Sequence, residues 1–307
     1  MKPYFGMSSN PSDYAWELVE RLGFKDALVG SWVKLVLQEL GLKWKPYSGS
    51  LFFPSLEENE SIQSAERQKR PFNNEPECPT VPYRQQRPID AALWGDTVFV
   101  DTDFHLERQR LATCHEVGHF YLPWHEGLSY VKNGCIVEPP GMRQNEIEAN
   151  RFAADLLMPP PFFREDMDSL PFGIRSVERL SWKYLTSLEA TARHYVDLSP
   201  KSCALVVIEA LPKDKITQNG SWLKVKYCTR SRSFDHFIRP GTEIAPDTAI
   251  AQASLMSPGT IHTDEAPGWV LGLRPERRLI LHCRPWGKKG DVLVLVEEPR
   301  GNQWRLF

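Results

Sequence analysis

The feature that most constrains this 307-residue chain is a short stretch from Leu111 to Pro123, which reads LATCHEVGHFYLP. It contains HEVGH, so that His115 and His119 are four residues apart and Glu116 follows the first histidine directly. Four residues are a little more than one helical turn, so both imidazoles project from one face of a helix. That spacing suits a tetrahedral zinc ion, and Glu116, rotated by roughly 100° from His115, reaches the same place from the side.

The residues around this motif favour a short helix with a buried histidine face. Leu111, Gly118 and Leu122 lie on that face, Asp103 is the expected N-cap, and Pro123 ends the helix. Gly118 costs about 1 kcal/mol relative to alanine inside a helix. We therefore expect it to permit close approach of another segment or of a substrate backbone. The pentapeptide alone also occurs by chance, but in metalloproteases its glutamate is the general base.

A catalytic zinc site needs a third protein ligand and keeps the fourth position for water. The stretch from 144 to 158 predicts a second helix that packs against the first. Glu146 and Glu148 compete for the ligand role, since they are about 200° apart and cannot both face the metal. We favour Glu146, because Asn150 one turn further on can hydrogen-bond a ligand histidine; Glu148 is then an ordinary solvated charge. The apolar positions of the helix recur at helical spacing: Ile147, Ala149, Phe152, Ala153, Leu156 and Leu157.

The segments HEVGH and EIEANRFAADLLMP together resemble the ImmA/IrrE family of metallopeptidases, over about residues 88–160. The resemblance implies a zincin-like fold with a gluzincin-like site, in which His115, His119 and Glu146 hold Zn²⁺ and Glu116 is the catalytic base. It also implies a function, because members cleave helix-turn-helix (XRE-type) repressors and so release stress-response or mobile-element genes. Other divalent ions such as Mn²⁺ also suit such a site.

The residue that would stabilise the transition state is left open by the sequence. His125, just beyond the helix-ending proline, is either a loop residue or a stabiliser of the oxyanion, and it is not needed as a fourth ligand. Three other side chains compete for the oxyanion role, and the pattern does not choose among them: Tyr121, Tyr130 and Arg143.

Two further segments precede the zinc helix. Residues 57–88 are rich in Pro, Glu, Gln, Arg and Asn, which predicts a long exposed loop. It is either an inert insertion or a lid or partner-docking segment. Residues 89–103 predict a β-hairpin that turns at Gly95-Asp96. Its strand is either purely structural or an edge that pairs with a substrate backbone. Two helices are predicted before these segments, at 11–22 with Gly23 as C-cap and at about 26–40 before Gly41.

Residues 174–198 resemble a helix-turn-helix with a break at Thr186-Ser187. A DNA reader would need a basic second helix, but this one offers Arg193 and the neutral Thr191 and His194. We therefore expect direct DNA binding to be weak or absent, and favour a structural or repressor-docking unit.

The remainder of the chain, residues 200–307, alternates short β-prone runs with Gly/Pro turns, and the resemblance implies a GAF-like sensor domain. Its small-molecule ligand is unknown; four side chains could line a pocket, although an aromatic core is the commoner explanation: Trp222, Trp269, Trp286 and His282. The predicted fold class is thus α+β. Its parts are a zincin-like metallopeptidase domain (1–165), a helix-turn-helix unit (166–199) and this sensor domain (200–307).

Composition excludes several classes of protein. The net charge of −2 argues against an obligate nucleic-acid binder. No apolar run approaches the roughly 18 residues of a membrane span, and the N-terminus lacks a signal core, so we expect no membrane partner and a cytoplasmic location. The cysteines form no CxxC pair and are expected to be reduced: Cys78, Cys114, Cys135, Cys203, Cys228 and Cys283.

These patterns favour a zinc-dependent endopeptidase, with Glu116 accepting the proton of the attacking water. The alternative is a non-catalytic regulator that binds a repressor, or DNA, through degenerate peptidase and helix-turn-helix regions.

Overall fold

The computed structural model describes residues 9–25, 29–48, 90–125, 142–212, 220–287 and 290–299, together with the backbone of two short paired strands, β4 (Val131–Lys132) and β5 (Cys135–Ile136). The predicted insertion at 57–88 and Tyr130 lie outside the described residues. The fold is mixed α+β, as expected from the sequence. The chain divides into two compact units, residues 1–157 and residues 158–307.

The first unit opens with two helices, α1 (Pro11–Leu22) and α2 (Trp32–Leu40). Asn10 caps α1 by accepting a hydrogen bond from the Ser12 N–H, and both helices end on a left-handed glycine, Gly23 and Gly41, as predicted. Helix α2 begins at Trp32, later than predicted, and residues 26–28 lie outside the described range. The Trp32 indole N–H donates to the Leu156 carbonyl at 2.8 Å.

A three-stranded sheet follows, with β1 (Lys43–Tyr47), β2 (Ala91–Trp94) and β3 (Thr97–Asp101) in the order β1-β3-β2. Strands β2 and β3 form the predicted antiparallel hairpin, and Gly95 takes the positive φ of +60° that the turn requires. Strand β1 runs parallel to β3. Val98 and Val100 of β3 are fully buried, so one face of the sheet lies in the core. The strand order places β2 at an edge of the sheet.

Helix α3 (Leu106–Tyr121) carries HEVGH and ends two residues before Pro123, as the sequence predicts. The prediction that Asp103 caps it is wrong. The N-cap position is His105, which makes no side-chain cap hydrogen bond. The Asp103 carboxylate instead accepts a hydrogen bond from the Ser48 hydroxyl at 2.8 Å, a partner 55 residues away. Its backbone N–H donates to Asp101 at 2.9 Å, which forms a turn ahead of the helix.

Helix α4 (Met142–Leu157) packs against α3 and α1. Helices α3 and α4 touch at Gly118, where an added Cβ would lie 3.1 Å from the Phe152 ring and 3.2 Å from the Ala149 Cα. The expectation that this glycine permits a close approach is therefore confirmed. Ile147 was predicted to be in the core, but its side chain is 53% exposed; the remaining five predicted apolar positions of α4 are fully buried.

The second unit begins with three helices, α5 (Pro160–Asp168), α6 (Ile174–Tyr184) and α7 (Leu188–Leu198). Six strands follow: β6 (Cys203–Ala210), β7 (Leu223–Arg230), β8 (Glu243–Ile244), β9 (His262–Pro267), β10 (Arg278–Trp286) and β11 (Asp291–Glu297). They form one sheet in the order β8-β7-β6-β11-β10-β9, with every neighbouring pair antiparallel. Helix α7 packs against β6 and β7, and α8 (Ala249–Ser254) packs against β9, β10 and β11.

The predicted break between α6 and α7 is present, with Leu185 in the left-handed conformation (φ +50°) and Ser187 capping α7. Within the described part of the chain, no helix has both the length and the apolar character needed to cross a bilayer.

Candidate metal centre

Three side chains converge where the predicted zinc site lies. The Nε2 atoms of His115 and His119 are 3.0 Å apart, and the two carboxylate oxygens of Glu146 lie 3.2 Å from one Nε2 each. Metal–ligand bonds of about 2.0–2.1 Å in a tetrahedron place neighbouring ligand atoms roughly 3.3 Å apart. The spacing thus fits a metal ion. Among the described residues, this is the one group of three or more His, Cys, Asp or Glu side chains close enough together to hold an ion.

The electrostatics of the cluster match this use. Burial lowers the pKa of His115, but the hydrogen bond to Glu146 and the charges of Glu116 and Glu146 outweigh it and raise the pKa overall. Hydrogen bonds from His115 and His119 hold the pKa of Glu146 far below its usual range. Glu146 is therefore ionised at neutral pH, which is the form that binds a metal, whereas a bound ion must compete with the proton on His115.

Glu116 stands beside the cluster with a raised carboxyl pKa. Burial is the largest cause of that rise, and it is opposed by the neighbouring histidines and by a hydrogen bond from the backbone N–H of Leu93. Because Leu93 belongs to the edge strand β2, the sheet holds this carboxylate in position. A carboxylate with a raised pKa is a better general base near neutral pH.

Asn150 and Glu148 have different surroundings. The Asn150 Oδ1 lies 3.2 Å from Nδ1 of His115, and its amide N–H donates to the Glu146 carbonyl at 2.7 Å. Glu148 was expected to be a solvated charge, and that is wrong, because its side chain is only 16% exposed. It accepts a hydrogen bond from Gln144 at 2.7 Å and another from the Trp124 indole, and it also faces His125.

The structure narrows the candidates for an oxyanion stabiliser. The Tyr121 hydroxyl is buried and donates to Glu17 at 2.6 Å, so it is already engaged. His125 lies behind His119, against its Nδ1, and Arg143 is exposed in the first turn of α4. Sequence reasoning missed Tyr47 at the end of β1. Burial, with the charges of Asp101, Asp90 and Glu116, raises its pKa to about 12.

The charge of Glu116 acts on the Tyr47 phenol, which places Tyr47 near the base and makes it a further candidate for the oxyanion role. The only sequence signal for it is the short run KWKPY, and the long segment between this strand and the HEVGH motif hides their proximity.

Three of the four predicted pocket residues of the second unit have surroundings that differ from one another. Trp222 packs against the core and donates to Ser254, Trp269 is 46% exposed, and His282 contacts Thr263 and the Phe172 ring. A cavity of about 290 Å³ in this unit includes none of the four. It is lined by Pro200, Lys201, Ser202, Glu297 and Glu298.

Polar side chains of α7 bond to other residues of the second unit. The Arg193 guanidinium lies over the Tyr227 ring, 4.3 Å from its centroid, and pairs with Glu189 at 3.0 Å. The Tyr227 hydroxyl donates to the same carboxylate.

Residues 79–194 match the model of the Peptidase_M78 family, described as an IrrE N-terminal-like domain. No curated protein matches the chain. Among solved structures, a Mycobacterium tuberculosis transcriptional regulator is similar, with a TM-score of 0.54 and 10% identity. The match covers 94% of this chain and 76% of that one, and at such identity it concerns the fold alone.

The matched residues contain both segments that carried the resemblance and the whole His115, His119 and Glu146 cluster. Residues 79–194 therefore match an IrrE N-terminal-like domain of the Peptidase_M78 family, which agrees with the resemblance found in the sequence.

Proposed function

We propose that this protein is a zinc-dependent regulatory endopeptidase that cleaves a helix-turn-helix (XRE-type) repressor. The observation that carries the proposal is the triangle formed by the Nε2 atoms of His115 and His119 and the carboxylate of Glu146, with Glu116 beside it. When bound, the ion would lower the pKa of a coordinated water from 15.7 toward about 7 and polarise the scissile carbonyl. Zn²⁺ suits two imidazoles and a carboxylate, and Mn²⁺ is the alternative.

The chain's own residues supply the proton transfer and the alignment. Glu116 would take the proton of the attacking water and pass it to the leaving amine, for which its raised pKa is suited. Strand β2 lies at the sheet edge, and its Leu93 N–H holds Glu116. An extended segment of a repressor that paired along β2 would therefore pass close to the base.

We propose a separate role for each of the three predicted segments of the chain. Residues 1–165 would be the zincin-like peptidase, residues 166–199 a helix-turn-helix-like unit, and residues 200–307 a GAF-like sensor of a small molecule. Because Arg193 is engaged by Glu189 and Tyr227, we propose docking or support as the role of the second segment. Cutting the repressor would release stress-response or mobile-element genes.

The test compares wild type with Glu116→Gln in cells of the source organism. New protein N-termini are labelled and identified by mass spectrometry, and zinc per chain is measured on both purified proteins. We expect a new N-terminus inside a helix-turn-helix protein with wild type only, and about one zinc in both proteins. Cleavage by Glu116→Gln at the wild-type rate would exclude Glu116 as the base. Full derepression by Glu116→Gln without cleavage would favour the non-catalytic regulator.

A further inference from the structure

A chain of hydrogen-bonding groups extends from the candidate metal centre into the protein. Nδ1 of His119 lies 3.1 Å from Nδ1 of His125, and Nε2 of His125 lies 3.2 Å from the Glu148 carboxylate. His125 is buried, and Glu148 is held in turn by Gln144 and Trp124. The relay therefore consists of groups whose own positions are fixed.

The protonation states along this relay follow from its two ends. If Nε2 of His119 is a metal ligand, its proton must be on Nδ1, because the ligand is a neutral imidazole. Nδ1 of His125 must then be the unprotonated acceptor, and the His125 proton must be on Nε2. That N–H points at the Glu148 carboxylate, which is an acceptor when ionised. A single arrangement of protons thus satisfies every contact.

We infer that His125 and Glu148 are positioning residues, which fix the ring orientation and tautomer of His119 and so strengthen metal binding. The inference rests on the proposed metal site and assigns roles that the sequence did not. It places His125 neither among the ligands nor at the oxyanion, because His125 contacts the nitrogen of His119 that points away from Glu146. It also gives Glu148, the rejected ligand candidate, a role.

The two ligand histidines have partners of different kinds. Nδ1 of His115 faces the amide of Asn150, which lies one turn after Glu146 on α4 and donates to its carbonyl. Nδ1 of His119 faces a second imidazole backed by a carboxylate. An imidazole polarised by a carboxylate is the stronger acceptor, so the His119 ring should be the more firmly oriented of the two.

The experiment measures zinc affinity of the full chain by competition with a chromophoric chelator at fixed pH. His125→Phe keeps a ring but removes the acceptor, and we expect affinity to fall about 10- to 100-fold. His125→Asn can put its amide oxygen where Nδ1 stands and should recover most of that loss. The absorption spectrum of the Co²⁺-loaded protein should change in His125→Phe and return toward wild type in His125→Asn.

Glu148 gives an independent arm if His125→Phe does not fold. Glu148→Ala removes the acceptor for the His125 N–H and should weaken zinc binding by about 10-fold. Glu148→Gln keeps an amide oxygen for that N–H and should lose less. Tyr121→Phe is the matched control. Tyr121 lies on α3 with the two ligand histidines, but its hydroxyl bonds to Glu17 of α1, so its loss should leave zinc affinity unchanged.

The outcomes separate the two proposals. Absence of zinc binding by wild type would overturn the proposed function together with this inference. Tight binding by wild type, with equally tight binding by folded His125→Phe or by Glu148→Ala, would overturn the inference alone. An equal loss in His125→Phe and His125→Asn would also contradict it, because the acceptor would then not matter.

Discussion

Two helix pairs in this protein carry polar side chains toward a neighbouring element, and they use them in opposite ways. Between α3 and α4, His115, His119 and Glu146 converge on a common point with the spacing of metal ligands. In the pair α6–α7 the polar groups are engaged by the adjoining sheet: Glu178 pairs with Arg284, and Arg193 and Glu189 are held by Tyr227.

The difference shows that the partner element decides what a polar helix face does. Polar atoms that satisfy one another across an interface stabilise the fold, whereas ligand atoms that share one centre leave a place for an ion. The Arg193 guanidinium of α7 is engaged by Glu189 and Tyr227. The Thr191 hydroxyl bonds within its own turn, and His194 faces the Met158 carbonyl at 2.8 Å. The helix-turn-helix pattern therefore predicted the local shape, and these polar side chains have partners within the second unit.

The largest effect on stability is expected at Gly118, where α3 and α4 make their close contact. Gly118→Val would drive methyl groups into Phe152 and the Ala149 backbone, which lie 3.1 and 3.2 Å from an added Cβ. We expect the free energy of unfolding of the first unit to fall by about 3 kcal/mol in urea titrations. Gly118→Ala should lose less, since the better helix propensity of alanine offsets about 1 kcal/mol. Wild-type stability of Gly118→Val would show that α3 and α4 do not meet here.

Substitutions at the polar contacts of α6 and α7 should lower the stability of the protein and leave its metal binding unchanged. Tyr227→Phe removes a hydrogen bond to the Glu189 carboxylate, and we expect the free energy of unfolding to fall by about 1–2 kcal/mol. The zinc affinity measured by chelator competition should remain at the wild-type value. Tyr184→Phe, which loses a similar bond to Asp166, is the matched control within the same unit. A large drop in zinc affinity in Tyr227→Phe alone would mean that the two helix pairs are coupled.

The smallest effect is expected on DNA binding. Arg193→Ala removes the one basic side chain of α7, and because that side chain is committed to Glu189 and Tyr227 we expect no change in duplex binding. Gel shifts at low salt should show no retardation with either protein. Trp182→Ala is a control on α6. The Trp182 side chain is 71% exposed, so the free energy of unfolding should change by less than about 0.5 kcal/mol. Salt-dependent binding that Arg193→Ala abolishes would restore the DNA-reading hypothesis.

Local patterns predicted the first pair well. The histidine spacing and the β-hairpin each depend on residues near in sequence, and both are present in the fold. A glycine inside a helix also predicted the close approach at Gly118, although its partners Ala149 and Phe152 belong to another helix. The failures involve partners distant in sequence. Ser48 engages Asp103 across 55 residues, so the expected cap is not used.

The same limit explains Glu148, Ile147 and Tyr47. Helical periodicity places Glu148 away from the metal. It does not reveal that Trp124 and His125, which follow the other helix, contact the Glu148 carboxylate. Ile147 fits the period and yet lies at the rim of the packed face. No helical period relates Tyr47 to Glu116, because the two belong to different elements joined by a long segment.

The most direct measurement is zinc per chain, by elemental analysis after zinc loading and desalting, for wild type, Glu146→Ala and Glu148→Ala. We expect about one zinc in wild type, none in Glu146→Ala, and about one in Glu148→Ala, whose affinity is weakened but still sufficient. No zinc in wild type, or the loss of zinc from Glu148→Ala with retention in Glu146→Ala, would contradict the site described by His115, His119 and Glu146.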